Sequence, residues 1–483
     1  MKNIKLYTLL LGASLAFGSC DNYLDIEPVG KVIASTTSEY RALLTEGYFR
    51  YPYSGSVGYF SLLSDEAETL VTDFILGESD KESMKYTYTW RYGANMYEFN
   101  WMSYYKSIFL ANAIIEQVQD AEVDGAETRE QLLGEAYALR AYNHFKLVNL
   151  YGKWYDPATA ATDKTAPMSE YIDISQKYTP ATVEQMYAFI LDDLNKSYGY
   201  MELEKQTDVN LNYRFSKDAV KALESRVRLY KQDWQGAYDA AKAVIPSYAL
   251  TDFNTIPTIE TEDPALWIDV TMPDPANANL PWKATSSEAI LCLDRPFAGM
   301  SGDFVYYVAP LSTGMQDLFG YMPYMTSEDF RGQMLINQMN WFEFVSYGVY
   351  AVRRTSDRSS IRVSEMYLTA AEAAANLGTA DKLTEAKGLL KQLAATRFTP
   401  DGAAMKSTAI DGMSKEELLQ EIYDERAREF AYEGHRWFDL RRTTRPAITK
   451  VFEGESYTLL QNDSRYTLPF PSDAITANPG LAD

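Results

Sequence analysis

SKEELLQEIYDERAREFAYEGHRWFDLRR, residues 414 to 442, is the stretch from which the fold of this chain can be read. Ser414 followed three residues later by Glu417 makes a capping box, in which each side chain satisfies an amide left unpaired where a helix begins. Gly434 supplies the stop, so the spacing predicts one helix running from Ser414 to that glycine. Leu418, Leu419, Ile422, Tyr423, Ala427, Phe430 and Ala431 recur at steps of three and four and form a stripe that neighbouring helices can cover. Between them stand Glu425, Arg426, Arg428, Glu429 and Glu433, and past the turn Trp437, Phe438 and Leu440 lie beside Arg436, Asp439, Arg441 and Arg442. Guanidinium groups at this density suit bidentate carboxylate pairing. Acids and bases alternating at helical spacing neutralise one another, so the segment reads as an ion-pair corner locking the last helix to its turn, in preference to an anion site.

Composition narrows the rest. The 483 residues, 46% of them hydrophobic, suffice for a large core. The formal charge of -22 repels phosphate backbones and anionic headgroups, so no nucleic-acid partner is expected. With 37 Tyr and 8 Trp, more rings are present than a core alone requires, and the surplus points to interfaces or ligand surfaces. Two cysteines and two histidines, without a CxxC pair or HExxH helix, exclude a disulfide framework and a zinc site of familiar spacing. Cys292 reads as a lone buried thiol, and His144, between Tyr142 and Phe145, as a structural histidine. His435 is read as a cation complementing the helix end at Gly434. Neither a phosphate-binding glycine loop nor a GxSxG elbow occurs.

The chain opens with Lys2 and Lys5, an apolar run from Leu6 to Phe17 too short to span a bilayer, then Gly18, Ser19 and Cys20. This resembles a lipobox, which implies a lipoprotein signal peptide over residues 1–19 and lipidation of Cys20. Helices are predicted over 38–50, 97–120, 128–151, 182–200, 216–232, 234–245, 361–378 and 382–396. Tyr51–Gly93 reads as loops, and Asp252–Ser346, rich in proline, as a loop-rich insertion. Tyr457–Leu460 and Tyr466–Phe470 are expected to pair as a hairpin.

DERAREFAYEGHRWFDLRR (424–442) resembles the C-terminal hallmark of the SusD/RagB family, outer-membrane lipoproteins of Bacteroidetes that capture nutrients for a TonB-dependent transporter. CDNYLDIEP (20–28), GEAYALRAYNHFKLVNLYG (134–152), IRVSEMYLTAAEAAANLG (361–378) and TLPFPSDAITANPGL (467–481) are similar to other segments of that family. The resemblance implies an all-α, tetratricopeptide-like helical-repeat scaffold with a loop-rich C-terminal subdomain and a short β-hairpin. It divides the chain into an N-terminal helical region, 20–250, and a C-terminal region, 251–483, with the insertion at 252–346. The implied protein is a noncatalytic, cell-surface lipoprotein of the outer membrane that binds oligosaccharide and delivers it to a SusC-like TonB-dependent transporter. The alternatives are a peptide-binding member of the family, a glycoside hydrolase and a structural adaptor.

Sugar rings offer an apolar C–H face to a flat aromatic and hydroxyl edges to amide, carboxylate or guanidinium groups. YTYTWRYG (86–93) meets that specification, and the candidate ligand-binding residues are Tyr86, Tyr88, Trp90, Arg91 and Asn95, with Tyr307, Asn340 and Trp341 from the later loops. Trp101 is assigned to the core, no residue is assigned a catalytic role, and no cofactor is expected. Calcium is the one ion for which hard oxygen donors are gathered, at Glu260, Glu262, Asp263, Asp269, Asp274 and Asn277, without EF-hand spacing.

Overall fold

The computed structural model describes residues 34–49, 55–67, 78–93, 99, 101–172, 177–263, 268–274, 277–293, 312–320, 328–341, 344–349 and 360–482, with the backbone alone at 55–58, 78–80, 259–272, 333–341 and 344–349. Helices α1 (Thr37–Phe49), α2 (Gly55–Leu63), α3 (Glu78–Tyr88), α4 (Trp101–Gln117) and α5 (Arg129–Tyr151) come first, followed by strands β1 (Lys164–Thr165) and β2 (Ala181–Thr182). Then come α6 (Val183–Tyr200), α7 (Lys217–Tyr230) and α8 (Trp234–Val244), strands β3 (Thr258–Asp263), β4 (Ile268–Pro273) and β5 (Ala289–Leu291), and helices α9 (Thr313–Leu318) and α10 (Phe330–Leu335). Strands β6 (Ile336–Trp341), β7 (Phe344–Val349) and β8 (Ile361–Arg362) precede α11 (Val363–Leu377), α12 (Ala380–Arg397), α13 (Pro400–Gly412), α14 (Lys415–Glu429) and α15 (Arg436–Arg442). Strands β9 (Ile448–Phe452) and β10 (Glu455–Leu459) and helix α16 (Ser472–Ala477) end the chain.

Each long helix packs on its predecessor: α4 on α1, then α5, α6, α7 and α8 in turn, then α11 on α8 and α12 and α13 after it. The α8–α11 contact joins residues on either side of 250, and the largest buried cluster among the described residues runs from Leu44 through Leu139 and Leu223 to Ala371, Ile422 and Leu468. Caps set the registers. Thr128, Thr182, Ser216, Thr379 and Ser414 each accept an amide of the first turn, and Thr182–Gln185 and Ser414–Glu417 are full capping boxes. Gly134 is required where α5 meets α6, because a Cβ there would lie 2.8 Å from the backbone nitrogen of Met201.

Three expectations are corrected. Helix α14 ends at Glu429, five residues before Gly434, because Tyr432 turns left-handed (φ 57) and its amide donates to the Glu66 carboxylate at 2.7 Å. The hairpin pairs Ile448–Phe452 with Glu455–Leu459 instead of 457–460 with 466–470. Its two-residue turn, Glu453–Gly454, has positive φ at both positions (52 and 82), the primed geometry that matches strand twist. In the segment read as loops, α2 and α3 are helical, and the proline-rich insertion holds the antiparallel pairs β3–β4 and β6–β7 between its loops. Short helices of indifferent propensity such as α2 depend on tertiary packing for their existence, which periodicity does not report.

Candidate functional site

The ion pairs of the C-terminal helices are structural, as their alternation implies. Glu429 is buried and takes bonds from Arg397 at 2.8 and 3.0 Å, from Arg331 at 2.7 Å and from Arg362, while Glu425 meets Arg331 at 2.6 Å and Arg428 at 2.7 Å. Burial alone would raise these carboxyls, but the guanidinium groups more than offset it. Glu425 is held at about 2 and Glu429 well below the usual carboxylate range. Arg426 pairs with Asp439, Arg442 with Glu372, and Arg226 with Glu365 in the same way. These groups are paired with one another and closed to solvent, although Arg426 reaches Asp439 through Nε alone and its two Nη atoms have no hydrogen-bond partner among the described residues.

His144 is buried and His435 half-buried, and desolvation drives each down to about 3. His144 lies between the Arg140 carbonyl and the Ser169 amide, as a structural histidine should. His435 is a correction: it is neutral, stacked on Phe430 at 4.5 Å, and supplies no charge to a helix end. Cys292 is buried and forms no disulfide among the described residues.

The structure separates the candidate ligand-binding residues into buried and surface positions. Tyr88 is 0% exposed and Trp90 1%, so neither offers a face to a ligand. Trp90 donates its indole N–H to the Leu63 carbonyl at 2.9 Å, and the Lys450 ammonium stands over both rings, 4.6 Å from Tyr88 and 4.7 Å from Trp90. Tyr86 and Arg91 are half-buried at the surface, where the guanidinium lies 4.7 Å from the Tyr86 ring and 5.0 Å from that of Tyr457 on β10. Thr89 holds its Nε at 2.9 Å, and its Nη2 has no hydrogen-bond partner among the described residues. Tyr457 was not among the candidates; its hydroxyl donates to Glu455 at 2.8 Å, and only the corrected hairpin register brings it to Arg91. Asn340 and Trp341 lie on β6, opposite Val345 and Phe344, with only their backbone described. Asn95 and Tyr307 lie outside the described residues.

Of the calcium donors, Asp274 and Asn277 form a turn, with the Asn277 amide on the Asp274 carbonyl at 3.1 Å, while the side chains of Glu260, Glu262, Asp263 and Asp269 lie outside the description. Among the described residues no group of three or more His, Cys, Asp or Glu is placed to hold a metal ion.

A second surface was not foreseen. A cavity of about 740 Å³ opens between α4, residues 167–171, Tyr178 and the C-terminal residues 471–481. Trp101, buried as assigned, forms its floor, braced by Tyr105 at 4.9 Å, Tyr151 at 4.8 Å and Phe470 at 5.5 Å. Its signal in the sequence is a second apolar stripe, Met102, Tyr105 and Phe109, at steps of three and four off the buried face of α4.

Among the described residues no helix is long and apolar enough to cross a membrane. Residues 22–229 match a family model described as starch-binding and associating with the outer membrane, and residues 315–483 match the SusD family model. A SusD-like protein of Formosa agariphila is 24% identical over 92% of each chain. A solved SusD superfamily protein of Bacteroides thetaiotaomicron superposes with a TM-score of 0.71 at 22% identity, over 92% of this chain and 99% of that one. A solved laminarin-binding SusD-like protein does so with a TM-score of 0.57 at 19% identity, over 92% of this chain and 98% of that one. With both halves matched in this way, the chain belongs to the SusD/RagB family of glycan-binding proteins associated with the outer membrane.

Proposed function

We propose that this protein is a noncatalytic oligosaccharide-binding lipoprotein, held at the cell surface through Cys20, that passes its cargo to a SusC-like TonB-dependent transporter. The observation that carries the reading is family membership in both halves of the chain, since SusD family proteins bind and do not cleave. The side-chain chemistry agrees with it. A glycosidase needs two carboxyls facing a substrate across an open cleft, whereas the buried carboxylates of the C-terminal helices are spent on guanidinium groups. Glu66, which burial pushes up to about 7, would have a suitable pKa for an acid catalyst but is enclosed beneath Tyr432.

The glycan rests on the face built by Tyr86, Arg91 and Tyr457. A few rings at a surface give roughly micromolar to millimolar affinity, with release fast enough for transfer. Laminarin oligosaccharides are the first probe, because a structural relative is named for binding laminarin. Arg91→Ala should weaken binding about tenfold in titration calorimetry, with the melting temperature held and no cleavage products formed. Unchanged affinity would remove this face from the site, and release of shorter sugars would restore the hydrolase.

A further inference from the structure

The trough along α4 is distinct from the Tyr86–Arg91–Tyr457 face, and we infer that it is a second contact for the same glycan, an inference that rests on the glycan-binding reading. Its volume of about 740 Å³ lies in the range of small-molecule sites. It continues into a shallower hollow of about 410 Å³ that shares Met102, Tyr105 and Phe109 and adds Glu46 and Lys106. The shared residues step along one face of a single helix, so the two hollows form an elongated channel suited to a linear chain more than to one compact ring.

The lining selects the chemistry. Phe109 and Tyr171 are 43% and 56% exposed, and Met102 is 59% exposed, an apolar concentration that a soluble surface does not carry without use. Tyr171 is held from behind by Asn112, whose amide donates to its carbonyl at 3.3 Å, and Tyr178 by the Asn478 amide at 2.6 Å. The rings therefore stand on fixed backbone and cost little order on binding. Asp473, exposed on the rim, has no hydrogen-bond or ion-pair partner among the described residues. An apolar protein helix laid in the trough would desolvate that carboxylate without a donor, which is costly. A sugar chain brings C–H faces for the rings and hydroxyl donors for the carboxylate. The formal charge of -22 and the acid at the rim disfavour an anionic glycan, so a neutral chain is the occupant tested.

The test compares wild type, the Phe109→Ala/Tyr171→Ala double variant and Arg91→Ala by titration calorimetry against laminarin and a panel of neutral oligosaccharides, with thermal melting as the folding control. Both substituted rings are exposed, so the double variant should melt with the wild type. The expected result is an affinity for the long chain about tenfold lower in the double variant, the loss corresponding to one or two ring contacts, and a further loss when Arg91→Ala is added. Wild-type binding left unchanged by the double variant would overturn the second contact and leave the glycan-binding reading standing. A wild-type protein that binds no neutral glycan of the panel would overturn both.

Discussion

Trp90 shows how far a single side chain can depart from what its sequence neighbours suggest. In YTYTWRYG it stands beside an arginine among tyrosines, the composition of a stacking surface, yet its ring is enclosed and its backbone takes a left-handed turn (φ 52) at the end of α3. A non-glycine residue costs roughly 1–2 kcal/mol there. The indole bond to Leu63 and the burial of the ring offset that cost, and Lys450, which burial drives down to about 7, is enclosed against its face. Trp90→Ala should therefore cost about 3–5 kcal/mol of stability through the cavity it leaves, read as an earlier midpoint in chemical denaturation. A variant that denatures with the wild type and loses only ligand affinity would contradict the burial. Arg91, one residue on, keeps its place at the surface because Tyr457 arrives from residues far along the chain.

At the scale of elements, α14 divides cleanly into what local chemistry dictates and what it does not. Its start was legible because Ser414 and Glu417 satisfy each other's amides without help from any other segment. Its end was not, because the Tyr432 amide is drawn off by Glu66, a residue far away in sequence. The register of β9 and β10 was hidden for a related reason: the inward positions are Ile448, Lys450 and Phe452, and a buried lysine interrupts the apolar alternation. The ion pairs that hold α14 and α11 set a pH dependence. Glu425 and Glu365 titrate at about 2, below their ordinary 4.5, so the stability they confer is complete above about pH 4.5 and is lost as pH falls through about 2. Denaturation free energy should decline steadily across that window, and Glu429→Gln, which leaves three guanidinium groups undercompensated, should lower it by about 3–5 kcal/mol at neutral pH. A flat profile from pH 4.5 to 2 would mean that these pairs contribute nothing net.

For the whole molecule, the row of helices forms a continuous body on which both proposed glycan contacts depend: the α4 trough at one face, and the meeting of α3 with the C-terminal hairpin at the other site. Its attachment is proposed to be at Cys20, and Cys20→Ala should move the protein from the membrane fraction to the soluble one on cell fractionation; continued retention would assign the attachment elsewhere. The amino-acid sequence by itself determined the long helices, their capped starts, the ion-pair corner, the buried thiol and the family, because each of these is written in spacing and side-chain chemistry within a few turns of chain. Only the tertiary structure decided which aromatic residues face water. Tyr88 and Tyr86 are two residues apart and chemically identical, and what separates them is Lys450 and Phe452 of β9, which pack against Tyr88. Burial is set by contacts between segments hundreds of residues apart, which no local period encodes.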